Sequence, residues 1–390
     1  MRIRSSSPAR RRHAIWALLL ALVVGACRPP IGVVEPSAGE TVAPSDTPPP
    51  AAKLKPDNQT SVELRLFRGL GPADAALLYG QALDSYRDAN LTADISPPIP
   101  GYDPFAVEPA PDSLTLWVGT VSDIAPSVAA GLRLTAVGEL SGRDPTVLAG
   151  LKKTLPKTLE NLVGRSIVVD TAGAGESLLA AVAAAGGDPS AVQIQPLDDP
   201  SAPFDPTPLL DGTADAAAVS NYDGWARIQE MVVLNGDDLK TVADRSLGDA
   251  NAPLLGELIW AQQSDVDSPD LGPAITALLG VLGQTQIACR DAVEDCAGVF
   301  SSQSDRTPEG LAWSIDQVDR TLFPAPDGIL HIDAASWDRT VAAMTAAGVP
   351  DVDKLGFTNK LVDAVVAAIG SELDLTGASW TPRTDLPLFP

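Results

Sequence analysis

Between Val62 and Gly138 short β-prone runs alternate with helical stretches, and the alternation resumes at Ser166. That pattern confines the chain to an α/β architecture. Val62-Glu63-Leu64-Arg65-Leu66-Phe67 alternates apolar and polar residues as a half-buried strand does. A glycine-rich turn, Gly69-Leu70-Gly71-Pro72, leads into a helix over 73–89. A strand over 112–120, a short helix over 124–130 and a strand over 132–138 complete a first unit of the kind that builds parallel sheets. A second unit opens with the strand Ser166-Ile167-Val168-Val169-Asp170. It continues through a turn over 171–176, a helix over 177–185, a strand over 192–197, a helix end, turn and third strand within 209–219, and a helix over 224–231. After an apolar strand over 255–263 the chain is mainly helical, over 271–289, 307–322, 336–347 and 359–369. No fixed-period repeat is present. The expected organisation is two α/β lobes over 61–148 and 149–258, with residues 259–390 returning to the first lobe. Crossovers are expected near 140–155 and 250–265.

The first 26 residues have the three parts of an export signal. Arg2, Arg4 and Arg10-Arg11-Arg12 form a basic region without acid, an apolar stretch runs to Val24, and Val24-Gly25-Ala26-Cys27 resembles a bacterial lipobox. The apolar stretch is about a dozen residues, whereas a spanning helix needs about 20. The alternative is a short membrane anchor with a chance cysteine. The lipobox reading implies cleavage before Cys27 and lipid on that cysteine, holding the chain on the outer face of the cytoplasmic membrane. The triple arginine leaves general or twin-arginine export open. From Cys27 to about residue 60, Pro, Ser and Ala dominate, as in Pro44-Ser45-Asp46-Thr47-Pro48-Pro49-Pro50. Such a segment is an extended tether.

The signal holds five of the arginines and no acid, so a formal −23 for the whole chain becomes −28 after cleavage. Nucleic acid is therefore not an expected partner. Cys289 and Cys296 are the only cysteines besides Cys27, and outside the cytosol such a pair is expected to form a disulfide. His331 is the only histidine left after cleavage, so no catalytic triad, metal or cofactor site is expected.

Three segments carry a resemblance to a known family. They are Leu159-Glu160-Asn161-Leu162-Val163-Gly164-Arg165 with the strand that follows, Leu210-Asp211-Gly212-Thr213-Ala214-Asp215-Ala216 through Tyr222, and His331-Ile332-Asp333-Ala334-Ala335-Ser336-Trp337 with Gly356-Phe357-Thr358-Asn359. Together they resemble the substrate-binding proteins of ABC importers, in the group of thiamine-pyrimidine-precursor, nitrate, sulfonate and taurine binders. The resemblance implies a type II periplasmic-binding-protein fold, α/β with an interlobe ligand cleft. It also implies a monomer that hands a small solute to a permease. The first strand departs from the pyrimidine binders' pattern, reading Phe67-Arg68-Gly69-Leu70 where a tryptophan-rich motif is usual. Other readings are a sensor or interaction lipoprotein, or an enzyme like the pyrimidine synthases that share the fold.

Ligands of open α/β sheets lie beyond the C-terminal strand ends, which selects the candidate site. Phe67 can stack on a ring and Arg68 meet an anion, or the two can be core and solvated residues. Trp117 is a stacking or a core residue, while Gly119 and Thr120 offer a backbone amide and a hydroxyl. Thr171, Gly173, Ala174 and Gly175 form a glycine turn before a helix, suited to a carboxylate, phosphate or sulfonate, or an ordinary strand-to-helix turn capped by Thr171 or Ser177. Asn221 and Tyr222 end the next strand and can hydrogen-bond or stack on a heterocycle.

Overall fold

The computed structural model describes residues 55–98, 103–106, 113–195, 199–247, 254–386 and 388, all within the unit Pro50–Pro390. The export signal, Cys27 and the tether up to residue 54 lie outside the described residues. The chain builds a first sheet with β1 (Thr60–Leu66), β2 (Leu91–Ser96), β3 (Ser113–Gly119) and β4 (Leu134–Glu139). It crosses to a second sheet made of β5 (Thr146–Leu151), β6 (Ser166–Val169), β7 (Gln193–Ile194), β8 (Ala216–Ser220) and β9 (Val242–Ser246). It returns to the first through β10 (Leu258–Gln262) and, near the end, β11 (Gly356–Phe357).

The strand orders are β11-β4-β10-β3-β1-β2 and β7-β6-β8-β5-β9. Neither sheet is wholly parallel. β10 runs antiparallel to β3 and β4, and β5 antiparallel to β8 and β9. Parallel neighbours need a long crossover, usually a helix. β4 and β9 are instead each followed in the chain by a strand of the opposite sheet, and that strand runs against its neighbours. At this double crossing Arg143 bridges Leu255, Gly256 N donates to Gly142 O at 2.9 Å, and Gly142 adopts φ +61°. A β-carbon on Gly142 would also lie 2.5 Å from Thr321 O, so glycine is required there twice over.

Each sheet is covered by apolar residues on both faces, in keeping with the near-continuous hydrophobic runs of β3, β4, β6 and β8. The 20-residue helix Gly272–Asp291 is buried along most of its length and packs with Val62, Leu64, Leu66 and Leu116 in the main core of the first lobe. A helix apolar all round belongs inside. Cys289, at its end, is disulfide-bonded to Cys296 of the next helix, Val293–Phe300, and both sulfurs are buried.

Strands β2, β5 and β9 are absent from the sequence reading. β2 and β9 are edge strands alternating with polar residues, and β5, Thr-Val-Leu-Ala-Gly-Leu, is a short run interrupted by glycine. The turn expected over 171–176 is also corrected. Thr171 caps a helix over Ala172–Ala184, its Oγ1 accepting from Ala174 N at 3.0 Å, so Gly173, Ala174 and Gly175 are the first helical turn.

Candidate functional site

A cavity of about 370 Å³ lies between the two sheets, where the C-terminal ends of β1, β3, β6 and β8 converge. The lobes touch across it. Gly69 N, after β1, donates to Pro200 O of the second lobe at 3.0 Å. Gly69 cannot carry a side chain in this arrangement, because a β-carbon would stand 2.6 Å from Ser201 O. Likewise a β-carbon on Gly173 would meet Thr120 Cγ2 at 2.8 Å. At the rim, Arg227 of the second lobe pairs with Asp305 at 3.0 Å, and the buried Arg306 reaches back to Glu230 at 2.7 Å. These contacts describe a closed clamp.

Phe67, Arg68, Thr120, Thr171, Gly173, Ala174 and Tyr222 line the cavity. Phe67 packs on Phe105 with ring centroids 5.2 Å apart. Thr120 caps the next short helix and shares a capping box with Asp123, accepting from its backbone while donating to Asp123 Oδ2 at 2.8 Å. The amides of Ala172 and Gly173 have no partner within their helix and sit at the cavity wall. Tyr222 crosses from the second lobe into the apolar cluster of the first, and burial beside Glu257 lifts its hydroxyl well above the ordinary tyrosine value.

The remaining candidates lie elsewhere. Trp117 is core, 1% exposed, its Nε1 donating to Pro104 O at 3.1 Å. Gly119 stands behind the cavity wall, where its missing side chain admits the Phe67 ring and its carbonyl accepts from Trp260 Nε1 at 3.0 Å. Gly175 packs inward against Val169. Asn221 faces away from Tyr222, as successive residues at a strand end do, and borders a separate crevice of about 720 Å³ on the other side of the crossovers.

Arg68, the sequence's candidate for an anion, is occupied by the protein's own carboxylates. Nε donates to Glu257 Oε1 at 2.5 Å, and one Nη donates to Gly69 O at 3.0 Å and to Asp74. The other Nη donates to Asp74 Oδ1 at 3.2 Å and to Glu257 Oε2. All five N–H donors are used.

Among the carboxylates that line the cavity, Asp123, Asp144, Asp170, Glu257 and Asp305 are not singled out from the sequence. Asp170 Oδ2 accepts from Ser220 N and Oγ, both at 2.7 Å, while Oδ1 is buried without a partner. Burial pushes the Asp170 carboxyl up to about 6, against the pull of the two Ser220 hydrogen bonds. Burial likewise raises Asp123, Asp144 and Glu257, the last despite Arg68. Asp170 follows β6 directly and precedes the capping Thr171, so the strand-end rule could have found it. Asp144 and Glu257 precede the N-terminal ends of β5 and β10, and they reach the cleft only because those strands run antiparallel.

Residues 72–261 match the family model described as NMT1/THI5 like. No curated protein sequence matches the chain. Among solved structures, a protein of Bordetella bronchiseptica RB50 superposes with TM-score 0.59 at 18% identity, covering 80% of this chain and 98% of that one. The alkanesulfonate-binding protein SsuA from Xanthomonas axonopodis pv. citri, bound to MOPS, gives TM-score 0.55 at 16% identity, with 78% and 99% covered. The periplasmic nitrate-binding protein NrtA from Synechocystis PCC 6803 gives 0.53 at 10%, with 85% and 93% covered. The fold is that of the periplasmic binding proteins.

Proposed function

We infer that this chain, which carries an NMT1/THI5-like domain on a periplasmic-binding-protein fold, is the solute receptor of an ABC importer. It captures a small polar solute between its lobes and presents the closed form to a permease. The reading rests on one observation above all: the cavity sits at the strand ends between two lobes, which meet through polar pairs at the rim and through packing of the helix Ala172–Ala184 and Tyr222 on the first lobe. Such contacts can break and re-form as a hinge opens at the two crossovers. The cavity, at about 370 Å³, suits a small molecule. No covalent step is assigned to the cleft, which binds and releases. The ligand class expected from the family resemblance is a thiamine-precursor-like heterocycle or a sulfonate- or nitrate-like anion, and lipid on Cys27 would keep a monomeric receptor beside its permease outside the cytoplasmic membrane.

A thermal-shift screen of the mature chain with pyrimidines, organic amines, taurine, alkylsulfonates and nitrate, followed by small-angle scattering, tests this reading. A hit should raise the melting temperature and shrink the radius of gyration. A ligand that stabilises the protein without compacting it would argue against capture by closure.

A further inference from the structure

The charge built into the cleft identifies the charge of its ligand, an inference that rests on the receptor reading above. Among the described residues lining the cavity, six carboxylates (Asp123, Asp144, Asp170, Asp223, Glu257 and Asp305) accompany two guanidiniums, Arg68 and Arg227, and neither lysine nor histidine. Both guanidiniums are committed to protein acids. Arg68 has no donor left, as set out above, and Arg227 donates from Nε to Asp223 and from both Nη to Asp305. Two positive charges thus stand against four acids, Asp223, Asp305, Glu257 and Asp74, so these pairs do not neutralise the wall. Asp123, Asp144 and Asp170 are held only by hydroxyl and amide donors: Thr120 for the first, Thr146 for the second, Ser220 for the third. A carboxylate drawn out of water without a cation is costly to keep.

Asp170 adds an independent sign. Its Oδ1 is enclosed and accepts no hydrogen bond, although the residue lines the cavity. Buried acceptors without donors are uncommon, and each calls for an explanation. A ligand that donates there supplies the missing hydrogen bond, and a positively charged one also offsets the surplus of acid. An incoming sulfonate or nitrate does neither. It would face the carboxylates with both guanidiniums already engaged, and like charges at close quarters strongly disfavour a partner. The positive end of the Ala172–Ala184 helix does not reverse the sign, because Asp170 stands directly before its cap. Phe67, Phe204 and Tyr222 supply the apolar and aromatic part of the wall. A bare metal ion fits neither the size of the cavity nor the described residues, among which no metal-binding group of His, Cys, Asp and Glu occurs.

We propose that the cleft takes a small organic cation, with an ammonium or amidinium head donating to Asp170 and a flat apolar body lying along the aromatic wall. The test uses ligands that share a ring and differ in charge: benzamidine and tyramine as cations, benzamide as the neutral isostere, benzenesulfonate as the anion, with nitrate added. Binding to the mature chain is measured by calorimetry and thermal shift. The expected result is that a cation binds at least about tenfold more tightly than benzamide, that benzenesulfonate and nitrate do not bind, and that Asp170→Asn weakens the cation by about tenfold or more. Tighter binding of benzenesulfonate, nitrate or benzamide than of either cation overturns the charge assignment and leaves the receptor reading standing. Cation binding untouched by Asp170→Asn overturns the role of Asp170. Should the variant fail to fold, the charge series on the wild-type chain still decides. Binding of no member overturns the charge assignment, and the receptor reading is then decided separately by the ligand screen and scattering.

Discussion

Replacing Asp170 by asparagine should make the empty protein more stable while spoiling its site. Oδ2 accepts two hydrogen bonds from Ser220, which an asparagine carbonyl oxygen can also accept, and Oδ1 accepts none. The folded carboxyl titrates at about 6 against an ordinary 3.8. With each tenfold change in proton affinity corresponding to about 1.4 kcal/mol, the ionised group penalises the unliganded fold by roughly 3 kcal/mol. The sign follows from the raised value. The folded state binds this proton more tightly than the unfolded chain, so its stabilising effect is complete below about 3.8 and is lost as the pH rises through about 6. Above that the whole penalty stands. Asparagine cannot ionise and escapes it, although its new amide protons need acceptors and return part of the gain. Urea unfolding followed by tryptophan fluorescence should therefore place the variant about 1–3 kcal/mol above wild type near pH 8 and level with it near pH 4. A variant less stable near pH 8, or an offset that does not change with pH, would refute the account of Asp170 as a buried acid awaiting a donor.

Gly69→Ala should obstruct closure, since its β-carbon would stand 2.6 Å from Ser201 O in the closed clamp. Its ligand dissociation constant should rise about ten- to a hundredfold, and unaltered affinity would mean the observed contact is not part of closure. Arg306→Ala removes the ties to Glu230 and Asp223 at the rim and should enlarge the radius of gyration of the liganded form in scattering. The double variant Cys289→Ala, Cys296→Ala releases a loop of sequence separation 7 and should lower unfolding free energy by about 2 kcal/mol in urea titrations. Cys27→Ala should shift the protein from the membrane fraction to the soluble one, and persistent attachment would contradict a lipid anchor there.

Much of the architecture is written locally. Alternation in Val62–Phe67, the glycine turn before Ala73, the apolar run Ile167–Val169 and the long helices after residue 270 each express their structure within one segment, because periodicity and capping act over a few residues. From these the two-lobed α/β fold and the strand ends bearing Phe67, Thr120, Thr171 and Tyr222 can be read directly. What the sequence leaves open is direction and partnership. Nothing in Thr146–Leu151 or Leu258–Gln262 states that these strands run against their neighbours, since a strand's apolar pattern is the same in either direction. Only the crossing of the chain between sheets turned them around and delivered Asp144 and Glu257 to the cleft. Arg68 shows the same division. Its position at a strand end is local, but its commitment to Glu257, 189 residues away, is tertiary. That pairing turned a residue suited to anions into part of an acidic wall, because a guanidinium with every donor satisfied by its own fold has none to offer a ligand.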